Sequence, residues 1–380
     1  MRYRRFGTLH WEASALGFGA MRLPIIDNDP AHVNEAEAIR MIRYVVDHGV
    51  TYVDTAYPYH GGTSEVVVGK ALQEGYREKV NLATKMPTWL VTSPDDFDRY
   101  FSEQLQRLKT DHIDFYLLHA LNKEKWSSMV DLKVFEWAEH QMEENRITYL
   151  GFSFHDDLEL FKEIVDYYDW TFCQIQYNYM DEHHQAGTEG LKYAASKKLG
   201  VVVMEPIRGG QLAADPPRPI QEIWEKAPLT RTPADWALQW VWNHPEVSVV
   251  LSGMSTMTHV KENVVSAEKS GPNTLTEEEL CIIAEVRDMY RTLCPIPCTK
   301  CNYCLPCPKG VNIPRIFEIY NEAVMYNSPS LARRSYAFLK EGERADSCEK
   351  CGNCEEVCPQ SIEIREWLSK VDQFIKEGND

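Results

Sequence analysis

The chain has 380 residues and a formal net charge of −17, with 40 Lys and Arg against 57 Asp and Glu. This length exceeds one small core and predicts one large α/β domain with a smaller second domain. The acidic balance argues against a nucleic-acid partner and against an anionic membrane surface. No run approaches the ~20 apolar residues of a membrane span, so no membrane partner is expected.

The first residues, MRYRRFGTLHWEAS, lack the apolar core of a secretory signal, so we expect a cytoplasmic protein. The cytosol keeps thiols reduced, and disulfides are therefore not expected. Eleven cysteines in such a chain, most of them clustered, indicate metal ligands instead.

Up to about residue 290, short β-rich runs alternate with longer amphipathic stretches. The predicted strands are residues 14–19, 51–55, 80–85, 113–119, 148–153, 172–177, 201–206 and 247–253. The predicted helices are residues 36–48, 64–73, 94–108, 134–145, 158–169, 187–198 and 233–244. This alternation predicts a closed (β/α)8 TIM barrel, preceded by a small hairpin. An open doubly wound sheet is the alternative, but the sequence lacks the G-x-G-x-x-G fingerprint that such a sheet favours.

After about residue 293 the pattern changes to a Cys- and Pro-rich segment. Helical stretches follow at residues 313–326, 330–340 and 364–376. We therefore predict two domains, a barrel over residues 1–290 and a small α-helical domain over residues 291–380.

Two cysteine runs, CTKCNYCLPCP and CEKCGNCEEVCP, lie in this second region. The candidate metal ligands are Cys298, Cys301, Cys304, Cys307, Cys348, Cys351, Cys354 and Cys358. The second run has the iron–sulfur spacing C-x2-C-x2-C-x3-C-P, and the first is one residue shorter before its last cysteine. The pattern therefore predicts two [4Fe–4S] clusters in a ferredoxin-type domain.

In two-cluster ferredoxins the fourth cysteine of each run binds the other cluster. Carried over, one cluster takes Cys298, Cys301, Cys304 and Cys358, and the other takes Cys348, Cys351, Cys354 and Cys307. Two structural zinc sites are the alternative, because zinc also uses C-x2-C pairs. Of the remaining cysteines, Cys294 is interpreted as a bystander, and Cys173 and Cys281 as core residues.

Polar residues close several predicted strands, at the barrel end where active sites form. Asp54 follows TYV, Lys85 ends NLATK, His119 ends FYLLH, and Tyr59 lies in the loop after Asp54. Each alone has a structural interpretation as a helix cap, a core histidine or a solvated loop residue. Their joint occurrence at consecutive strand ends predicts one pocket.

The segments VDTAYPYHGGTSEVVVGKAL, LATK, DFYLLH and GFSF resemble the aldo-keto reductase superfamily over roughly residues 1–290. The cysteine domain resembles that of a bacterial and archaeal subgroup with a ferredoxin-type tail. The resemblance implies NAD- or NADP-dependent reduction of an aldehyde or ketone, or the reverse alcohol oxidation. It assigns Asp54, Tyr59, Lys85 and His119 to the catalytic tetrad.

The tetrad implies that Tyr59 donates a proton to the developing alkoxide. A tyrosine has a pKa of about 10, so a neighbouring Lys85 ammonium is expected to lower it. Asp54 would hold Lys85 charged, and His119 would hydrogen-bond the substrate oxygen.

The family's nicotinamide positions transfer unevenly. Ser153 and Gln174 match residues that bind the carboxamide, Met204 stands in place of the stacking aromatic, and Phe154 replaces the usual Asn. The adenosine-phosphate segment matches at Gly253, Ser255, Glu262 and Asn263.

NADP-dependent relatives often carry Lys or Arg where Ser255 and Thr256 stand, to pair with the 2′-phosphate. His259 and Arg208 are the remaining candidates for that contact, and the choice between NAD and NADP stays open. Specificity is expected in the loops at residues 88–92, 120–128 and 208–218.

The predicted partners are a small-molecule carbonyl or alcohol and a redox protein that exchanges electrons with the clusters. The alternative is an iron–sulfur electron carrier or interaction protein, in which the barrel is a scaffold with little nicotinamide-dependent activity. A nicotinamide delivers two electrons and an iron–sulfur centre one, so the clusters have an electron-transfer or a structural role.

Overall fold

The computed structural model describes residues 1–27, 29–298 and 300–376. They form two compact units, the first made of residues Met1–Arg208 and Asp235–Thr276. The second contains Gly209–Ala234 and the described residues from Glu277 onward. The predicted domain boundary near residue 290 stays a prediction.

Ten strands occur in the described residues, and eight of them close into a barrel. They are β1 (Tyr3–Arg5), β2 (Glu12–Ser14), β3 (Leu16–Gly19), β4 (Tyr52–Asp54), β5 (Asn81–Met86), β6 (Ile113–Leu121), β7 (Ile147–Phe154), β8 (Phe172–Gln176), β9 (Gly200–Met204) and β10 (Val249–Ser252). β1 and β2 form the antiparallel hairpin, and the barrel order is β10-β3-β4-β5-β6-β7-β8-β9, all parallel. The (β/α)8 prediction is confirmed, and the open-sheet alternative is wrong.

Ten helices occur in the described part of the barrel segment, and seven of them match predicted helices. They are α1 (Glu35–Asp47), α2 (Ser64–Ala71), α3 (Asp95–Leu108), α4 (Lys123–Asp131), α5 (Val134–Glu143), α6 (Leu158–Tyr167), α7 (Gly187–Ser196), α8 (Arg218–Trp224), α9 (Pro233–Trp242) and α10 (Met257–Glu268). The sequence did not predict α4, which buries only Trp126 and Met129 and so has a weak apolar period. It begins after Asn122, whose side chain accepts a hydrogen bond from the Lys125 backbone N–H.

The hairpin closes the N-terminal end of the barrel. Phe6 is fully buried, and its ring lies 5.0 Å from that of Phe115 and 5.6 Å from that of Trp11. A Cβ on Gly200 would lie 2.3 Å from the Phe6 ring, so this contact requires glycine at the start of β9. A ligand site on this barrel is therefore left to the opposite, C-terminal end.

Among the described residues, the second unit contains helices and no strands. Its further helices are α11 (Glu277–Thr292), α12 (Ile313–Met325), α13 (Pro329–Ala337), α14 (Asn353–Glu356) and α15 (Ile364–Lys376). α12 and α15 share a core that includes Phe317, Leu368 and Val371. No helix in the described ranges is both long and apolar enough to cross a membrane.

The three cysteines outside the runs differ in their surroundings. Cys173 is buried in β8, as predicted, and Cys294 is half-buried. The prediction that Cys281 is a core residue is wrong, because its side chain is exposed. α11 buries Ile282, Val286 and residues in step with them, and Cys281 falls off that face.

The two cysteine runs belong to a longer structural repeat. α12 and α15 are both 13 residues long, and each begins six residues after the last cysteine of its run. Positive φ angles recur at equivalent places, at Lys300 (55°), Asn302 (64°), Lys350 (58°) and Gly352 (89°). The two halves thus share these turn positions and helix starts despite the one-residue difference in cysteine spacing.

We predict that Phe6→Ala destabilises the barrel unit by about 3–5 kcal/mol, because it leaves a cavity among packed aromatic rings. Tyr3→Ala, in the same hairpin, is the control, since Tyr3 is 48% exposed and donates one hydrogen bond to the Gly49 carbonyl. It should cost about 1 kcal/mol. Denaturant unfolding, followed through the transition of the barrel unit, measures the free energy of unfolding of both variants. Equal losses of stability would contradict the proposal that Phe6 closes the N-terminal end of the barrel by packing.

Candidate active site and cysteine-lined cavities

A buried ion pair joins two neighbouring strands at the C-terminal end of the barrel. Asp54 ends β4, and Lys85 lies on β5, which pairs with β4 in parallel. Lys85 Nζ donates to both Asp54 oxygens at 2.7 and 2.8 Å and to the Thr55 carbonyl at 2.8 Å. Burial alone would lower the pKa of Lys85, but Asp54 and Tyr59 more than offset it, so the pKa is raised. Lys85 is therefore an ammonium at neutral pH.

Tyr59 lies over this ammonium, with its ring centroid 5.1 Å from Lys85 Nζ. It begins a tight turn in which His60 has a φ of 53° and Gly61 one of 62°. His60 anchors the turn, since Nδ1 donates to the Pro30 carbonyl at 2.7 Å and Nε2 accepts from the Leu23 N–H at 3.0 Å.

Burial raises the pKa of Tyr59, and the charges of Asp54 and Glu205 raise it further. Lys85 lowers it, as the sequence predicts, but not enough to reverse the effect of burial. The expectation that the pKa of Tyr59 is lowered overall is therefore wrong. The loss of hydration destabilises the phenolate more than the Lys85 ammonium stabilises it. Tyr59 stays protonated and holds a proton that it can donate.

His119 lies on β6 and faces both Tyr59 and an aromatic neighbour. Its ring centroid is 6.0 Å from that of Tyr59 and 5.2 Å from that of Trp89, edge-on in each case. Burial, followed by the charge of Lys85, holds the pKa of His119 well below its ordinary value, so the ring is neutral. Its buried Nδ1 has no hydrogen-bond partner among the described residues, which is a place for a ligand atom.

The three predicted nicotinamide positions lie on consecutive strands. Ser153 on β7 is paired with Gln174 on β8, and Met204 on β9 is paired with Gln176 on β8. Gln174 Oε1 is buried and finds no partner within the described part of the chain. Ser153 Oγ accepts from the Ala120 N–H at 2.7 Å.

Phe154, which stands where the family has Asn, is fully buried and packs on Phe161 at 5.2 Å. It therefore contributes to the core and offers no polar group.

The predicted adenosine-phosphate residues gather around the start of α10. Gly253 follows β10, and Ser255 and His259 approach each other at 3.4 Å on the exposed surface. Glu262 is exposed, whereas Asn263 is buried and donates to Ser252 Oγ at 2.9 Å.

Arg208 lies 2.9 Å from the Asp181 carboxylate, so its charge is already offset. Of the basic residues predicted for a 2′-phosphate, only His259 lies at the start of α10.

The eight candidate ligands line two cavities in the second unit. Cys298, Cys301, Cys304 and Cys358 line one of them. Cys307, Cys348, Cys351 and Cys354 line the other, and Cys304 lies on a wall common to both. The last cysteine of each run thus lies in the cavity formed by the other run.

These cysteines do not converge on a single point. Among the described residues, no group of three or more His, Cys, Asp or Glu side chains is arranged to hold one metal ion.

Some contacts around the site were not predicted from the sequence. Glu65, fully buried on α2, accepts from Thr84 at 2.7 Å and from Gln104 at 2.8 Å. Gln104 also donates to the Lys85 carbonyl at 2.9 Å, so this network fixes the backbone that presents Lys85. Trp89 was also missed, although it lies in a loop predicted to carry specificity.

We predict that stability falls as the pH drops from about 7 to about 5, and that His119→Gln reduces the fall. The folded-state pKa of His119 is depressed, so below about pH 6.5 the unfolded chain binds a proton that the folded chain does not. One such group contributes a slope of up to about 1.4 kcal/mol per pH unit. Denaturant unfolding at several pH values measures it, with the exposed His10→Gln as control. An unchanged slope in His119→Gln would contradict the assignment.

Comparison with known proteins agrees with this architecture. Residues 15–288 match the aldo/keto reductase family, and residues 297–363 match a 4Fe–4S dicluster domain. The solved holo structure of aldo-keto reductase AKR11C1 from Bacillus halodurans has a TM-score of 0.63 and 29% identity, over 75% of this chain and 96% of that one.

Similar sequences include the uncharacterized oxidoreductase YqkF of Bacillus subtilis (strain 168). It is 28% identical over 311 residues, which are 74% of this chain and 94% of YqkF. Probable aldo-keto reductase 1 of Glycine max is 34% identical over 157 residues, 39% of this chain and only 44% of the soybean protein. The chain therefore belongs to the aldo/keto reductase family of oxidoreductases and carries a 4Fe–4S dicluster domain after its barrel segment.

Proposed function

We propose that the protein reduces the carbonyl group of a small aldehyde or ketone, or oxidises the corresponding alcohol, with NAD or NADP as cofactor. The observation that carries the proposal is the buried Lys85 ammonium, held by both Asp54 oxygens beneath Tyr59. The unpartnered His119 Nδ1 adds a hydrogen-bonding atom on the far side of Tyr59.

Each residue has a defined task in this proposal. A substrate oxygen between Tyr59 and His119 accepts hydrogen bonds from the phenol and the neutral imidazole. As negative charge grows on that oxygen, Tyr59 donates its proton to it. Lys85 stabilises the phenolate that remains, and Asp54 keeps Lys85 charged and aimed.

The residues on β7 and β8 fit a nicotinamide, because the orphaned Gln174 Oε1 is an acceptor for an amide N–H. Ser153, Gln174 and Met204 would hold the ring, and the start of α10 with Gly253, Ser255 and His259 would hold the phosphate end. The bound cofactor supplies the hydride.

We predict that Tyr59→Phe lowers kcat for carbonyl reduction by about 10²- to 10⁴-fold, because the proton donor is lost. Tyr57→Phe is the matched control, since the Tyr57 hydroxyl donates to Glu103 at 2.8 Å and has no part in the proposed proton transfer. Steady-state assays with NADH and with NADPH measure both variants. Undiminished turnover in Tyr59→Phe would exclude the proposed mechanism.

We further propose two [4Fe–4S] clusters with exchanged fourth ligands. Cys298, Cys301, Cys304 and Cys358 would hold one, and Cys348, Cys351, Cys354 and Cys307 the other. The repeated turn positions and the make-up of the two cavities support this pairing.

Double variants test the exchange. Protein purified without oxygen should contain about eight irons, and Cys301→Ser about four. Cys301→Ser with Cys358→Ser should still hold about four irons, whereas Cys301→Ser with Cys307→Ser should hold almost none. Cys294→Ser, outside both sets, is the control.

The opposite result for the two pairs would mean that each run holds its own cluster. Zinc in place of iron would overturn the cluster proposal altogether.

A second candidate function is electron exchange with a redox partner. Cys301 and Cys351 are exposed, one in each cavity, so clusters there would lie near the protein surface. A structural role, or reduction by the partner alone, predicts that NADH or NADPH leaves the visible absorbance unchanged. Bleaching on addition of either nucleotide would show that electrons reach the clusters.

A further inference from the structure

Lys125, in the helix that follows β6, occupies a position where a positive charge is electrostatically unfavourable. Lys125 lies in the first turn of α4, where the helix dipole disfavours positive charge. Its ammonium bonds a neutral carbonyl, that of Ala120, at 2.9 Å. Among the described residues, Glu124 is the carboxylate whose charge acts on Lys125, and it forms no hydrogen bond with the ammonium.

Lys125 is also near the proposed reaction centre. Its Nζ is 5.8 Å from the Trp89 ring, and that ring lies edge-on to His119 at 5.2 Å. Trp89 is 42% exposed, so it offers an accessible apolar surface next to both the ammonium and the imidazole. A ligand that contacts His119 and extends along Trp89 would reach Lys125.

The acidic group that acts on Lys125 is Glu124, and the acidic groups nearer the reaction centre act on other residues. The charged groups that act on His119 are Lys85, His155 and Lys125, none of them acidic. Asp54 is bound by Lys85, and Glu205 acts on Tyr59 instead. Burial lowers the pKa of Lys125, and Glu124 only partly opposes this, so an anion that pairs with Lys125 would relieve a desolvated charge.

We propose that the carbonyl substrate carries a carboxylate, which Lys125 binds while Trp89 packs against the intervening carbon skeleton. This inference rests on the proposed carbonyl-reducing function. One ammonium matches the single charge of a carboxylate, whereas a doubly charged phosphate is usually held by several donors.

The test compares 4-carboxybenzaldehyde with its neutral methyl ester, methyl 4-formylbenzoate. In Lys125→Met, KM for the carboxylate should rise about 10- to 100-fold, the loss of one charge-assisted hydrogen bond. KM for the ester and kcat for both compounds should change little. Lys123→Met is the matched control, because Lys123 is exposed in the same helical turn.

Calorimetry with 4-carboxybenzaldehyde on the full chain, in the presence of oxidised nicotinamide, separates this inference from the proposed function. Weaker binding in Lys125→Met but not in Lys123→Met supports the anion site even if no carbonyl compound is turned over. Equal affinity for carboxylate and ester in the wild-type protein overturns it. Equal losses in the two lysine variants overturn it as well.

Discussion

The structure of the C-terminal end of the barrel depends on keeping the Lys85 ammonium charged in a place that is almost inaccessible to water. Lys85 is only 1% exposed, and an isolated buried ion of this kind costs several kcal/mol. Two Asp54 oxygens and one backbone carbonyl satisfy its three N–H donors. The Glu65 and Gln104 network then fixes the strand that carries it. This arrangement links four secondary-structure elements, β4, β5, α2 and α3, and Tyr59 lies against the charge that it maintains.

Sequence patterns predicted that Asp54, Lys85 and His119 meet at one barrel end, because parallel strands deliver their last residues there. The family resemblance assigned these residues, with Tyr59, to a catalytic tetrad. Asp54 and Lys85 needed only the strand assignments to be placed together. Patterns did not predict the net pKa of Tyr59, which depends on how much solvent the folded chain removes. Nor did they predict α4 and Lys125, because a short helix with two buried apolar residues has little periodicity. The spacing of residues in the sequence is enough to predict where strands end, but it does not predict how far a side chain is removed from solvent.

The cysteine runs show a related limit. Their one-residue difference in spacing hides a longer repeat, since helices of equal length follow at equal distances from each last cysteine. Equivalent positive φ angles show that both runs turn in the same way. Two runs with repeated turns and exchanged last cysteines would tie the two halves of the unit together through the metal groups rather than through hydrophobic burial alone.

A carboxylated substrate has to approach a chain of net charge −17, so long-range attraction cannot be what selects it. Exposed charges are screened within about 8 Å at physiological ionic strength, whereas a partly buried lysine is screened much less. The preference for an anion would therefore arise after encounter, when the substrate carboxylate comes within hydrogen-bonding distance of Lys125 beside Trp89. Because Tyr59 and His119 are both neutral, the positive charge that Lys125 adds beside them is available to an anionic group of the substrate.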